Sequence, residues 1–256
     1  MDPLQAVLLG SLEGFTEFLP ISSTGHLILA STLLGIPADA GHTSFLIAVQ
    51  LGAICAVLAR YWRRFLDVPF LQKLFVAFLP TGLVGFLVYP FVKGYLLGNP
   101  YVVVGALALG GVALIAFERF HREREDAPES PTAITYPQAL LVGLVQSIAI
   151  VPGVSRSAAT VVGGLAAGMR RTAIVEFSFL LAVPTMLAAT SYDLYKSAHT
   201  FSADDAGMIA IGFSTAFVVA LLSMRVLLAL AKRVSFTPFG IYRIVLAILF
   251  YLIVLQ

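Results

Sequence analysis

Glu13-Gly14-Phe15-Thr16-Glu17-Phe18-Leu19-Pro20-Ile21-Ser22-Ser23-Thr24-Gly25-His26 decides how this chain is read. It sets two carboxylates, a run of hydroxyls and an imidazole between apolar segments. The whole chain is 59% hydrophobic and 12% charged, with a mean hydropathy of +0.93. A soluble domain carries about twice that charge. The apolar runs are continuous and about 20 residues long, as a spanning helix requires, and they lack the period-two alternation of a β-barrel. The expected class is therefore an all-α polytopic membrane protein. Ionisable groups at membrane depth are costly and by default mark a functional site.

Outward from that stretch, Pro20 ends the first apolar helix after Glu17. A second apolar run, Leu27 to Leu34, stops near Gly35 and Pro37. Each piece is about ten residues, too short for ~30 Å of hydrocarbon. Two half-length helices around a polar break predict a re-entrant hairpin, which is tolerated at depth only against protein or a wet cavity. Full spans are expected at roughly 43–61, 72–93, 100–118, 172–196, 205–231 and 238–255. A second polar island, Pro152-Gly153-Val154-Ser155-Arg156-Ser157-Ala158-Ala159-Thr160, breaks the 137–168 segment in the same way.

The similarity is visible residue by residue. A shift of 133 places Gln5-Ala6 on Gln138-Ala139, Gly10 on Gly143, Glu13 on Gln146 and Ser22 on Ser155. One residue more places Ser44-Phe45-Leu46 on Ser178-Phe179-Leu180. The expected architecture is one integral membrane domain, 1–256, of six transmembrane helices plus two re-entrant helical hairpins. It forms an inverted-topology repeat: half 1–118, cytoplasmic linker 119–136, half 137–256. Sites in such folds lie near the midplane, where the repeats meet.

Charge sets the orientation. This drawing puts Arg60, Arg63, Arg64, Lys73, Arg119, Arg122, Arg124, Arg170, Arg171, Lys232 and Arg233 on one side, and Lys93 and Lys196 on the other. The positive-inside rule makes the first group cytoplasmic and both termini external. Cys55 is the only cysteine, which excludes an intrachain disulfide and a thiolate metal cluster. Asp2, Glu13 and Glu17 argue against a secretory signal peptide. A net charge of +2 makes no case for nucleic acid.

Glu13 and Glu17 share a helix face. Two ionised carboxylates at low dielectric need a cation, or one must be protonated. Mg²⁺ or Ca²⁺ takes oxygen ligands of this kind. The alternative is one glutamate in a structural hydrogen bond and the other in an aqueous vestibule. Ser22 and Thr24 are candidate phosphate-binding hydroxyls, the alternative being helix caps, whereas His26 can act as base, acid or nucleophile. Arg156, at a helix start with Ser155, Ser157 and Thr160, suits a phosphate, with free amides and a planar fork of donors. The alternative for Arg156 is plain neutralisation of Glu13 or Glu17. Gln50, polar within a span, is a candidate cavity residue. Arg225 and Arg243 read as snorkelling arginines, Glu176 as a partner of Arg170 or Arg171, and Tyr61 and Trp62 as interface anchors. The two islands are expected to meet within the membrane around a phosphate.

The two quoted islands resemble the signature motifs of the undecaprenyl-diphosphate phosphatase, or bacitracin-resistance protein, family. Gln50-Leu51-Gly52, Glu176 to Pro184 and Pro238-Phe239-Gly240-Ile241-Tyr242-Arg243 extend the resemblance over essentially the whole chain. It implies a multi-pass enzyme of the bacterial inner membrane that releases phosphate from a polyprenyl diphosphate and so recycles the lipid carrier. It implies an acidic pair at Glu13 and Glu17, candidate nucleophiles Ser23 and His26, a phosphate-binding Arg156 with Ser155 and Thr160, and a divalent cation. Partners would be the lipid substrate and membrane lipid. Oligomeric state stays open, a homodimer included, and a lipid flippase or transporter is the rival reading.

Overall fold

The computed structural model describes residues 1–37, 39–96, 99–123, 127–197, 206–231 and 235–255. They form ten α-helices and no strand: α1 Pro3–Thr16, α2 Ser23–Leu33, α3 Ala40–Tyr61, α4 Val68–Phe91, α5 Pro100–Phe120, α6 Tyr136–Gln146, α7 Arg156–Ala166, α8 Arg171–Ser197, α9 Ala206–Ala231 and α10 Thr237–Val254. Five of them, α3, α4, α5, α8 and α9, are long and apolar enough to cross a membrane. The 18 residues of α10 reach about 27 Å at 1.5 Å per residue. Leu83, Phe86, Leu87 and Leu109 stay exposed on the outside, the surface expected of a multi-pass membrane protein whose solvent is lipid.

The core lies under the two short-helix pairs. Phe18, Phe70, Phe177 and Phe179 are buried there with Ile54 and Leu74. The most extensive pairings are α1 with α9, α3 with α9, α5 with α10, and α4 with α6. Small residues permit them. A Cβ on Gly10 of α1 would sit 2.5 Å from the Gly212 carbonyl of α9, and one on Gly143 of α6 would collide with the Ala77 carbonyl of α4.

Local geometry recurs at the 133-residue offset. Asp2 with Gln5 forms a capping box at α1, and Thr135 with Gln138 forms one at α6. Gln5 Nε2 then donates to Leu34 O at 3.3 Å, and Gln138 Nε2 to Ala167 O at 3.0 Å. Gly35 and Gly168 both end their helices at positive φ, +65° and +79°, the left-handed cap that favours glycine. Ser22 and Ser155, at +71° and +75°, are the non-glycine residues with positive φ among those described.

The charged ends gather. Lys73 donates to Thr132 O, Arg170 bonds Glu129 and Arg171 bonds Glu118, so the end of α5, the segment after it, and the starts of α4 and α8 share one pole. This corrects the pairing expected for Glu176: both arginines take other acids, and the charges acting on Glu176 are Arg64 and Arg60. Arg124, Lys232 and Arg233 lie outside the described residues, as do the side chains of Lys93 and Lys196. Tyr61 is a second correction: it is buried in the core while Trp62 beside it is exposed.

Candidate active site

The two polar islands sit at two matching interruptions. The first lies between α1 and α2 and the second between α6 and α7. α1 stops with Glu17 as its C-cap, one turn after Glu13. α2 opens at Ser23, directly after the left-handed Ser22. Ser155, the counterpart of Ser22, precedes Arg156 at the first position of α7.

Glu17 is the junction. Its Oε2 accepts the Ser23 hydroxyl at 2.6 Å, and its Oε1 accepts Arg156 Nη2 at 3.0 Å. Arg156 Nη1 donates to Ser178 O at 2.8 Å, and Ser178 Oγ lies 2.6 Å from Thr160 Oγ1. Arg156 Nε is buried and has no hydrogen-bond partner among the described residues. Ser157 Oγ donates to Leu19 O at 2.7 Å, stitching α7 to the first interruption. Ser155 Oγ accepts from Ala158 N at 3.2 Å and caps α7. Residues some 140 positions apart thus meet, with side-chain exposures of 10% and 6% for Arg156 and Glu17. The neutralising contact foreseen for Arg156 falls on Glu17.

Glu13 is fully buried, and neither carboxylate oxygen has a hydrogen-bond partner among the described residues. A bare buried carboxylate is costly. That is the observation with which a divalent cation fits. No group of three His, Cys, Asp or Glu side chains could hold a metal among the described residues. The protein therefore offers an acidic pair rather than a cage. Mg²⁺ commonly binds in this way, through one or two carboxylates with phosphate oxygens and water as its remaining ligands.

His26 is turned elsewhere. Its Nδ1 lies 2.7 Å from Ser22 O and its Nε2 2.8 Å from Tyr242 OH. A carbonyl only accepts, so Nδ1 carries the proton, and in the neutral ring Nε2 accepts from the tyrosine. No hydrogen bond joins His26 to Ser23. Ser22 occupies the cap position of α2 without a side-chain cap bond, which corrects the capping role foreseen for it. Thr24 and Gln50 are half-buried, and neither lines the two cavities described next.

A cavity of about 380 Å³ abuts Arg156. Gln146, Thr81, Thr185, Tyr89 and Tyr192 bring its other side-chain polar groups, and Phe78, Phe86 and Met186 represent its mostly apolar wall. It suits an amphipathic ligand whose polar end faces Arg156. A second cavity of about 560 Å³ lies between α5 and α7 and reaches Arg243.

Arg243 overturns the snorkelling expectation. It is fully buried, and its guanidinium donates to Pro20 O at 3.5 Å and to Ala106 O and Gly153 O at 3.0 Å each. One cation therefore holds carbonyls from both interruptions. It fits because Gly110 leaves room: a Cβ there would collide with the guanidinium. Sequence reading missed Arg243, Tyr242 and Ser178 as site residues. For Ser178 a signal existed, since it lies in the Glu176 to Pro184 stretch that carries part of the resemblance. For the other two the contacts exist only in the folded chain.

A family profile described as "Bacitracin resistance protein BacA" matches residues 6–249. The chain is 49% identical over 252 residues to an "Undecaprenyl-diphosphatase" of Sulfurihydrogenibium sp. (strain YO3AOP1), covering 98% of this chain and 99% of that one. It is 49% identical over 251 residues to one of Wolinella succinogenes, covering 98% and 97%. It is 45% identical over 254 residues to one of Aquifex aeolicus (strain VF5), covering 98% of each.

Proposed function

The chain belongs to the bacitracin resistance protein BacA family, and from that premise we propose how its site works as an undecaprenyl-diphosphatase. It hydrolyses undecaprenyl diphosphate to undecaprenyl phosphate and inorganic phosphate. The observation that carries the mechanism is Glu17, shared between the Ser23 hydroxyl and the Arg156 guanidinium.

Ser23 Oγ attacks the terminal phosphorus while Glu17 takes its proton. The bond from that phosphorus to the bridging oxygen breaks, and undecaprenyl phosphate leaves with the electron pair. Water then hydrolyses the phosphoserine and releases phosphate. Arg156 and the first amides of α7 hold the terminal phosphoryl group; the unpartnered Nε is the donor left for it. Transfer of this kind is helped mainly by positioning and charge neutralisation. Glu13 and Glu17 would hold a divalent cation, Mg²⁺ or Ca²⁺, whose charge offsets that of the phosphate oxygens. Ser155, Ser157 and Thr160 shape the phosphate end. The apolar wall of the cavity beside Arg156 takes the first isoprene units, and the rest of the tail stays in lipid.

In this reading the protein sits in the bacterial inner membrane with six spans and two re-entrant hairpins, α1/α2 and α6/α7. The halves are 1–118 and 137–256, with 119–136 cytoplasmic and both termini and the site opening on the outer side. The basic pole around Lys73, Arg170 and Arg171 and the geometry repeated at 133 residues support this. So do the pairings: exchanging the halves turns α1 with α9 into α6 with α4. The repeat also favours a second reading, a lipid flippase, because paired broken helices are transporter architecture.

The test is phosphate release from a prenyl diphosphate in detergent, with and without chelator. Release that EDTA stops and Mg²⁺ or Ca²⁺ restores is expected. A protein that releases no phosphate in detergent, but moves the lipid across vesicles, would be the transporter.

A further inference from the structure

The catalytic reading leaves His26 without a direct task, since Ser23 delivers its proton to Glu17. What His26 touches is backbone. Ser22 is held at φ +71°, a conformation L side chains rarely adopt, and makes no side-chain cap of its own. Its carbonyl accepts the Nδ1–H of His26 at 2.7 Å, much shorter than the 3.4 Å bond from the His26 backbone N–H. On the far side of the ring Nε2 faces the Tyr242 hydroxyl at 2.8 Å, with the two rings within 8° of parallel. Tyr242 precedes Arg243, which holds the carbonyl of Pro20. Neighbouring residues of α10 therefore hold the first interruption at both flanks, Pro20 directly and Ser22 through the imidazole.

We propose that Tyr242 is a positioning residue: its hydroxyl fixes the His26 ring, and the ring fixes the left-handed Ser22 that aims Ser23 at Glu17. The proposal rests on the phosphatase reading for its activity assay, though not for its geometry. At the matching position of the other half stands Ala159, and there the serine caps its own helix. The imidazole is needed only where the serine does not cap itself.

Tyr242→Phe keeps the ring and removes one O–H. In detergent with a prenyl diphosphate, kcat falls about fivefold, the weight of one hydrogen bond, and KM stays within about twofold. His26→Ala loses more, and adding Tyr242→Phe to it changes nothing further, because the hydroxyl acts only through the ring. A Tyr242→Phe protein at full rate, or two losses that multiply, overturns the proposal. If the wild type releases no phosphate, the functional reading fails by itself, and ¹⁵N NMR of the histidine side chains decides the positioning claim. A His26 signal, assigned by its loss in His26→Ala, in the Nδ1–H tautomer and with its Nε2 resonance displaced in Tyr242→Phe, supports it. An Nε2–H tautomer, or a resonance that does not move, overturns it.

Discussion

The two interruptions have nearly the same backbone and opposite chemistry. Ser22 and Ser155 adopt almost the same left-handed φ, at a cost of about 1–3 kcal/mol each. Ser155 is stabilised by its own hydroxyl, which caps Ala158 N. Ser22 relies on His26 from the next turn. The contrast extends one helix back. Glu13 is buried beside Glu17, and no donor among the described residues reaches its carboxylate. At its counterpart, Gln146 Nε2 donates to Thr81 at 2.8 Å and to Thr185 at 3.3 Å. One half holds a buried acid pair, and the other brings a cation at the head of a helix. Matching local backbones thus frame one asymmetric site, because the polar residues on them differ.

Making the halves alike should destroy that asymmetry. The largest effect is expected from Arg156→Ser, which gives α7 the residue type that opens α2. Phosphate release falls by roughly 10²–10³-fold, the weight of a preorganised anion donor. Arg156→Lys recovers little, since a point charge does not reproduce the fork. Near-normal release by Arg156→Ser would remove the clamp from the mechanism.

Glu13→Gln copies Gln146 into the first half. Activity drops about a hundredfold on the same scale, yet the unfolding midpoint in detergent rises, because a buried carboxylate without a partner is gone. Mg²⁺ or Ca²⁺ raises the midpoint of the wild type and not of the variant. A lower midpoint for Glu13→Gln would mean that Glu13 is already compensated.

Arg243→Met removes a cation bonded to backbone carbonyls of both interruptions. Three carbonyls, two of them buried, lose this donor, and destabilisation of about 3 kcal/mol is expected by denaturant or thermal unfolding. An unchanged midpoint would show that α10 does not tie the halves together. The smallest effect separates the two serines. Ser22→Gly relieves strain and stabilises by about 1 kcal/mol, whereas Ser155→Gly also loses a cap and gains a few tenths of a kcal/mol less. Equal shifts would erase the distinction between the two backbones.

The sequence was informative where the physics is local. Hydrophobic run length places every expected span within four residues of an observed helix boundary. Pro20, Gly35 and the Pro152-Gly153 pair mark where helices stop. Charge in apolar surroundings singled out Glu13, Glu17 and Arg156. Apart from the missing Ser22 cap, the failures at the site are long-range. Tyr242 meets His26 across 216 residues and Arg243 meets Pro20 across 223. Hydropathy sees an arginine near a span end and reads a snorkel, because it has no access to the slot that Gly110 leaves on another helix. Glu176 was misassigned for a related reason: Glu118 at the end of α5 and the linker acids Glu123 and Glu129 had already taken Arg170 and Arg171.

The most direct test is to quench turnover of a prenyl diphosphate labelled in its terminal phosphate and find which residue carries the label. Phosphoserine at Ser23, absent in Ser23→Ala and strongly reduced in Glu17→Gln, is the expected result. Label on His26, or wild-type labelling in Glu17→Gln, would contradict the Ser23–Glu17–Arg156 account.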